Sequence, residues 1–267
     1  MGRPRGQHPA DPAAADLIAS VARAFDILRA FQPGETHLGN RELAQRTGLP
    51  KATVSRLTAT LSALGYLSHS PALEKYALGT GVLALGHAFL RSNSVVALAR
   101  PPMQELADHT GSAVMLGAAD GTRMVLLDIC QGDATFHLKL EPGARVPHGS
   151  TALGRADLAA RPPQVFAAAL AECEKETDPV RWPVLRDGLL QARRDYERYG
   201  FCFSLGDWNP DLFAVGVPML SADGSRILAF NCSGRVGLMT RERLLADIGP
   251  RLVALRNQVQ ELTGGRF

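Results

Sequence analysis

Cysteine is scarce and unclustered in this 267-residue chain: Cys130, Cys173, Cys202 and Cys232 are scattered, with no C-x-x-C pair. That spacing argues against a zinc site or a disulfide framework, and reduced, partly buried thiols are expected. Long apolar runs are lacking too; none reaches the roughly 18 residues that would suggest a membrane span. The opening stretch "MGRPRGQHPADPAAAD" has neither an apolar core nor a cleavage signal, so a cytoplasmic protein with a loose basic tail over 1–15 is expected. No G-x-S-x-G elbow, H-E-x-x-H or P-loop is present, so no enzyme, no metal and no cofactor is expected. Charge of one sign is barely in excess, at +3 overall, but its distribution is informative. Residues 1–90 hold nine of the 29 Lys/Arg and six of the 26 Asp/Glu, leaving 20 of each beyond. A small module facing a polyanion, joined to a neutral domain, fits that division.

What the chain does have is "NRELAQRTGLPKATVSRLTATLSALGYL", Asn40 to Leu67, a run of helix formers broken at Thr47-Gly48-Leu49-Pro50. Asn40 is a good N-cap, and Leu43 and Ala44 fall on the inner side of a short helix. Gly48 can end that helix in the left-handed conformation without a Cβ penalty. Pro50 suits the first turn of the next helix, where a missing N–H is harmless. From Lys51 onward, Val54, Leu57, Leu61 and Leu64 form one apolar stripe. A small Ala44, a turn-permitting Gly48 and a branched Val54 are what two nested, crossing helices require. These are the demands of a helix-turn-helix unit, although a purely structural helical hairpin can use a Gly turn as well.

The opposite face of the second helix presents Lys51, Ala52, Ser55, Arg56 and Ala59, with no carboxylate. In a helix-turn-helix protein that face enters the major groove. Arg56 is the candidate for bidentate reading of guanine, Lys51 for phosphate, and Ser55 and Thr53 for either. Arg41 and Lys75 complete the candidate DNA-contacting set. Behind this helix, "GYLSHSPALEKYALG" alternates around a turn at Pro71 to Glu74, predicting a hairpin of Tyr66–Ser68 and Lys75–Leu78 that would serve as a wing. Ahead of it, "LIASVARAFDILRAF" repeats Ile18, Val21, Phe25, Leu28 and Phe31, a helix expected to close the small core. The terminal "GRPRG" is similar to the minor-groove core of an AT-hook, with a disordered tail as the plainer reading.

Five stretches together resemble the IclR family of bacterial transcriptional regulators: "SVARAFDILRAF", "ELAQRTGLPKATVSRLTATLSALGYL", "YALGTGVLALG", "RVPHGSTALGRA" and "VGVPML…GSRILAFNCSG". They run in the family's order over almost the whole chain. The resemblance implies an α+β multidomain protein: a winged helix-turn-helix DNA-binding domain over 16–80, linker helices over 81–110, and a GAF-like α/β effector-binding domain over 111–267. It implies a double-stranded DNA operator, a small-molecule effector, and homodimers that often pair into tetramers, with no membrane. The rival is a metabolite-binding or enzymatic protein whose helix-turn-helix mediates protein contacts.

Beyond residue 80, "GVLALGHAFLRS" places Val82, Leu85 and Phe89 at helical spacing, as a partner face or as a stripe packed on its own chain. A helix from Val95 to His109 should kink or break at Pro101-Pro102. Strands are expected at Ser112–Ala118, Arg123–Cys130, Phe136–Leu140, Phe201–Leu205, Phe213–Leu220 and Arg226–Ser233. Helices are expected at Thr151–Ala160, Gln164–Glu176, Leu185–Tyr199 and about Thr240–Leu262.

By the family resemblance, an effector lies between the sheet and the loop before the helix at 151. The free donors of a helix start suit a carboxylate. The matching positions are Ala152 and Leu153 as donors, Val146 and Leu138 as apolar walls, and Ser204, Leu212 and Ala214 as lining. Asn231 and Ser233 join them, pointing the same way because they are two apart on a strand. Ser204 stands where the family often has an acid, and Ala214 where it often has a Cys. The "GDWNPD" stretch, with Trp208 and nearby Phe213, predicts a larger and more aromatic cup, while Asp207 and Asp211 read as turn residues.

Overall fold

A computed structural model of the chain describes residues 18–32, 34–92, 94–132 and 138–267. The basic tail, with its GRPRG motif, lies outside the described residues. The chain divides into two compact units after Arg91.

The first unit opens with α1 (Ala19–Arg29), α2 (Asn40–Thr47) and α3 (Lys51–Ala63), followed by β1 (Leu67–Ser70), β2 (Lys75–Leu78) and α4 (Thr80–Ser92). The break between α2 and α3 is made as its residues demand. Gly48 takes φ +69° and donates its N–H to the Ala44 carbonyl at 3.0 Å. Leu43 and Val54 are fully buried and meet Ile27, Leu38, Leu61 and Leu67 in one small core. Two caps sit one position from expectation. Gly39 caps α2, its N–H donating to Glu42 Oε2 at 2.7 Å, so Asn40 is the first helical residue. Pro50 caps α3 rather than lying in its first turn. The hairpin pairs Leu67 with Leu78 through Ser70 with Lys75.

The apolar stripes are corrected in part. Ile27, not the predicted row, is the buried residue of α1, and Ile18, Val21 and Phe25 are exposed. On α3, Thr58 is buried, Leu57 is half-buried and Leu64 is exposed. Val21, Phe25, Leu57 and Leu64 border an open groove of about 600 Å³ between α1 and α3, which Leu85 of α4 also lines. No residue of α4 is buried.

The second unit is a six-stranded antiparallel sheet in the order β5-β4-β3-β8-β7-β6. Its strands are β3 (Ala113–Asp120), β4 (Arg123–Gln131), β5 (Arg145–Pro147), β6 (Cys202–Leu205), β7 (Leu212–Leu220) and β8 (Ile227–Arg235). Period-two alternation sorts the side chains to two faces. Val114, Leu116, Leu228, Phe230, Val215 and Val217 pack against α5 (Ser94–Thr110) and α10 (Gly249–Thr263). Ala113, Met115, Leu126 and Ala229 face α6 (Ala152–Ala159), which is flanked by α7 (Pro163–Glu176) and α8 (Trp182–Tyr199).

Several expectations fail here for physical reasons. Residues 138–140 form no strand, and 136–137 lie outside the described residues; the edge strand is the three-residue β5, too short to show alternation. Helix α5 runs unbroken through Pro101 and Pro102, held by the burial of Val95, Ala99, Met103 and Leu106. The last helix is not continuous α-helix. After α9 (Arg241–Arg243) it widens to a π-turn at Leu244–Ile248, just before Gly249-Pro250, where Pro250 supplies no N–H.

One contact sets α6 on the sheet. A Cβ at position 216 would come within 2.1 Å of the Ala152 carbonyl oxygen, so β7 needs glycine there. Gly216→Ala should therefore cost about 1–3 kcal/mol of stability, read as a lower urea midpoint. An unchanged midpoint would show that α6 does not rest on β7.

Candidate functional site

Two arrangements of residues stand out, one in each unit. In the first, Lys51, Ala52, Ser55, Arg56 and Ala59 are all exposed on α3, opposite the buried Val54, Thr58 and Leu61. Thr53 is half-buried and Arg41 is exposed on α2. Lys75 is committed elsewhere: its Nζ pairs with Glu42 at 3.2 Å and ties the hairpin to α2, so a phosphate would have to compete for it. Arg46 pairs with Glu35 and holds that carboxyl down at about 2. The α3 face thus keeps two cations, Lys51 and Arg56, beside small polar and methyl side chains. That set can meet phosphates and base edges in a major groove.

In the second unit, the register of the sheet assembles a row. Ser204 stands opposite Ala214, and Ala214 opposite Ser233. In the next paired row Gly216 stands opposite Asn231, which stands opposite Met115 on β3. All of these face α6. The loop before α6 is wound tightly: Thr151 Oγ1 donates to the Pro147 carbonyl at 2.7 Å and accepts from the Gly154 N–H at 3.1 Å. This cap serves the third N–H of the helix and leaves those of Ala152 and Leu153 as first-turn donors.

A cavity of about 20 Å³ lies between the row and that helix start. Val146, Ala152, Leu153, Ser204, Leu212, Ala214, Asn231 and Ser233 line it, together with Met115, Leu140, Thr151 and Trp208. Leu138 is a correction: it is buried in the core on this side of the sheet but does not line the cavity, and Leu140, two residues on, does. The expected enlargement is a second correction. Phe213 packs toward the opposite face, and only Trp208 of the aromatic pair reaches the cup, which is small. Strand alternation from Leu212 and Ala214 already placed Phe213 on the other side. Met115 had a signal too, as the cross-strand neighbour of Asn231, but only once the β3-β8 register was known.

Charge is kept behind the lining. The buried Arg155 guanidinium donates to the carbonyls of Gly149 and Phe203 and to Asp207 Oδ2 at 3.0 Å, so Asp207 latches the loop after β6 onto α6. His148 Nε2 lies 2.7 Å from Asp157 Oδ2, and Arg161 holds both oxygens of that fully buried carboxylate. Burial would raise the Asp157 carboxyl, but hydrogen bonds from His148 and Arg161 outweigh it and hold the group below the usual carboxylate range. The four thiols are buried, and burial pushes Cys202 and Cys232 up to about 12. Among the described residues no cluster of His, Cys, Asp and Glu could hold a metal ion.

A winged helix-turn-helix followed by a sheet with a small niche at a helix start can be compared with known proteins. The model of the IclR helix-turn-helix domain matches residues 20–71, and that of the bacterial transcriptional regulator IclR C-terminal domain matches 87–260. The chain belongs to the IclR family. It is 34% identical to the HTH-type transcriptional regulator TsaQ1/TsaQ2 of Comamonas testosteroni, over 92% of this chain and 87% of that one. It is 28% identical to the Pca regulon regulatory protein of Pseudomonas putida, over 90% of this chain and 82% of that one. A solved IclR family regulator from Brucella abortus superposes with a TM-score of 0.85 at 38% identity, covering 96% of each chain. The chain is thus a ligand-responsive, DNA-binding transcriptional regulator of the IclR type.

The buried carboxylate of this IclR protein makes a measurable demand. A group whose pKa is lowered by folding contributes its stability above the unfolded value, near 3.9, and loses it as pH falls through the lowered one. Asp157→Asn should cost roughly 3–5 kcal/mol at neutral pH and flatten the acid limb of stability below about pH 4. Urea midpoints taken across that range check both; an unaltered acid limb would place the titration elsewhere.

Proposed function

We propose that this regulator binds a short palindrome-like operator as a homodimer, one α3 to each half-site, and that a small carboxylic acid held in the cup alters that binding. One observation carries the reading: Lys51, Ser55 and Arg56 stand exposed on a helix whose other side is locked by Val54 and Leu61. In this reading 16–80 form the DNA-binding domain, 81–110 the linker and 111–267 the effector domain. Arg56 reads a guanine, Lys51 meets phosphate, and Ser55, Thr53 and Arg41 support them. Lys75 contributes only if it leaves Glu42.

Pairing of two copies has its own support. Ile18, Val21 and Phe25 on α1, and Leu83, Leu85 and Phe89 on α4, are large, apolar and exposed. Val21, Phe25 and Leu85 line one groove, and exposed apolar surface of that kind favours association. A second pairing into tetramers extends the same family pattern. For the effector, the Ala152 and Leu153 N–H groups and the helix dipole favour an anion, and the neutral lining admits a carboxylate without a competing charge. The protein acts in the cytoplasm and catalyses nothing in this reading; effector occupancy shifts an equilibrium between operator-binding states.

Gel shifts on the DNA upstream of its own gene test it. If six to ten phosphates are contacted, affinity should fall by about 10³ or more between 50 and 200 mM salt. Arg56→Ala should cost about 1–3 kcal/mol and relax selectivity at one base pair per half-site. A footprint unaltered by that substitution removes Arg56 from base reading, and salt-insensitive binding removes the DNA-binding reading itself.

A further inference from the structure

Four buried side-chain atoms among the described residues have no hydrogen-bond partner, and of these only Asn231 Oδ1 belongs to the cup. Asn231 is 5% exposed, in the middle of β8 between Gly216 and Met115. Its backbone is taken up by the two ladders, so the amide alone can address a guest. A buried carbonyl-type oxygen with no donor is costly, and a donor inside the cup would remove that cost. Ser204 cannot supply it: its one hydroxyl hydrogen is donated to the Ser150 carbonyl at 2.7 Å, which leaves its oxygen as a second acceptor facing the same space.

The charge of the missing donor follows from the lining. None of its twelve residues is Asp, Glu, His, Lys or Arg. An anion can be met by the first turn of α6, but an ammonium set against Asn231 would find no countercharge and would be expensive to bury. The donor is therefore neutral. We propose that the effector is a hydroxy acid, its carboxylate on the Ala152 and Leu153 N–H groups and its uncharged hydroxyl donating to Asn231 Oδ1. This rests on the carboxylate reading above and adds a second recognition point to it. A cavity of about 20 Å³ holds about one water, so a wall must yield to admit the acid. Trp208, 36% exposed at the rim on the loop latched by Asp207 and Arg155, is the side chain placed to do so.

The test uses the full chain and matched acids: 4-hydroxybenzoate with benzoate, 3-hydroxybutyrate with butyrate, and lactate with propionate and pyruvate, titrated calorimetrically. In any set that binds, the hydroxy acid should bind at least about tenfold tighter than its partner, because the partner leaves Asn231 Oδ1 unmet. Asn231→Leu, checked for folding by its undiminished operator affinity, should weaken the hydroxy member and leave the deoxy member within about threefold. The wild-type ratio decides the matter even if that variant does not fold. Equal or tighter binding of the deoxy acid overturns the hydroxyl assignment alone. So does preference for pyruvate over lactate, since a ketone brings only an acceptor. Failure of every acid to bind, with salt-sensitive operator binding intact, overturns the carboxylate reading as well.

Discussion

The carbonyl of Ala152 lies against β7 where residue 216 has no side chain, and the helix start in the second unit is organised around that contact. A helix held off by one methyl group would draw its first-turn N–H groups away from Asn231 and from the row of Ser204, Ala214 and Ser233. Thr151 then fixes the rotation of the helix by capping Gly154 from within and gripping Pro147 from without. Arg155 binds the same helix to the Phe203 carbonyl on β6 and to Asp207 in the next loop. The helix start is therefore rigid on the sheet side. Interiors packed at this density respond to a guest by moving between arrangements rather than by bending a little.

The DNA-binding half obeys the same rule of close approach at smaller scale. Ala44, Gly48 and Val54 were legible because each acts through local sterics: a small face, a left-handed turn and a branched plug. The stripe on α1 was read less well, and the reason is physical. Helical periodicity reveals that a face is apolar, not what covers it. Ile18, Val21 and Phe25 have the pattern of a core face and stand exposed, while Ile27, on the opposite side of the helix, is buried. Leu64 repeats the error on α3. A surface awaiting a partner and a surface facing a core are identical in sequence, because the same transfer free energy governs both.

In the second unit the long strands were legible from alternation and the long helices from their spacing. What escaped was short or locally irregular. Strand β5 has three residues, and the π-turn before Pro250 breaks no pattern of side chains. Pro101 and Pro102 predicted a kink or a break, and α5 shows no break, because Val95, Ala99, Met103 and Leu106 bury enough apolar surface to offset the lost hydrogen bonds. The cup itself came from resemblance and from the rule that residues two apart share a face, which put Asn231 beside Ser233. Leu138 fell off the lining and Leu140 came onto it, a shift within a segment that forms no strand and so carries no periodicity to fix it.

If the cup is the effector site, as proposed, the placement of charge sets what it can discriminate. Arg155, Asp207 and His148 each stand within two residues of a lining residue, and Asp157 pairs with His148, yet none of the four lines the cup. A fixed cation in the lining would attract any anion and hold it by an interaction that depends little on shape. Backbone donors at the helix start reach only a few ångströms and only along the N–H direction, so they reward an acid that fits and release one that does not. Moving the ion pairs one layer back puts their strength into the loops instead. The Arg155–Asp207 link joins the helix start to the loop carrying Trp208, so a guest that displaces that loop must also disturb a buried guanidinium bound to β6. On that proposal, occupancy reaches β6 at the edge of the sheet through Asp207 and Arg155, and it biases DNA binding only as far as the acid binds one state of the protein more tightly than the other.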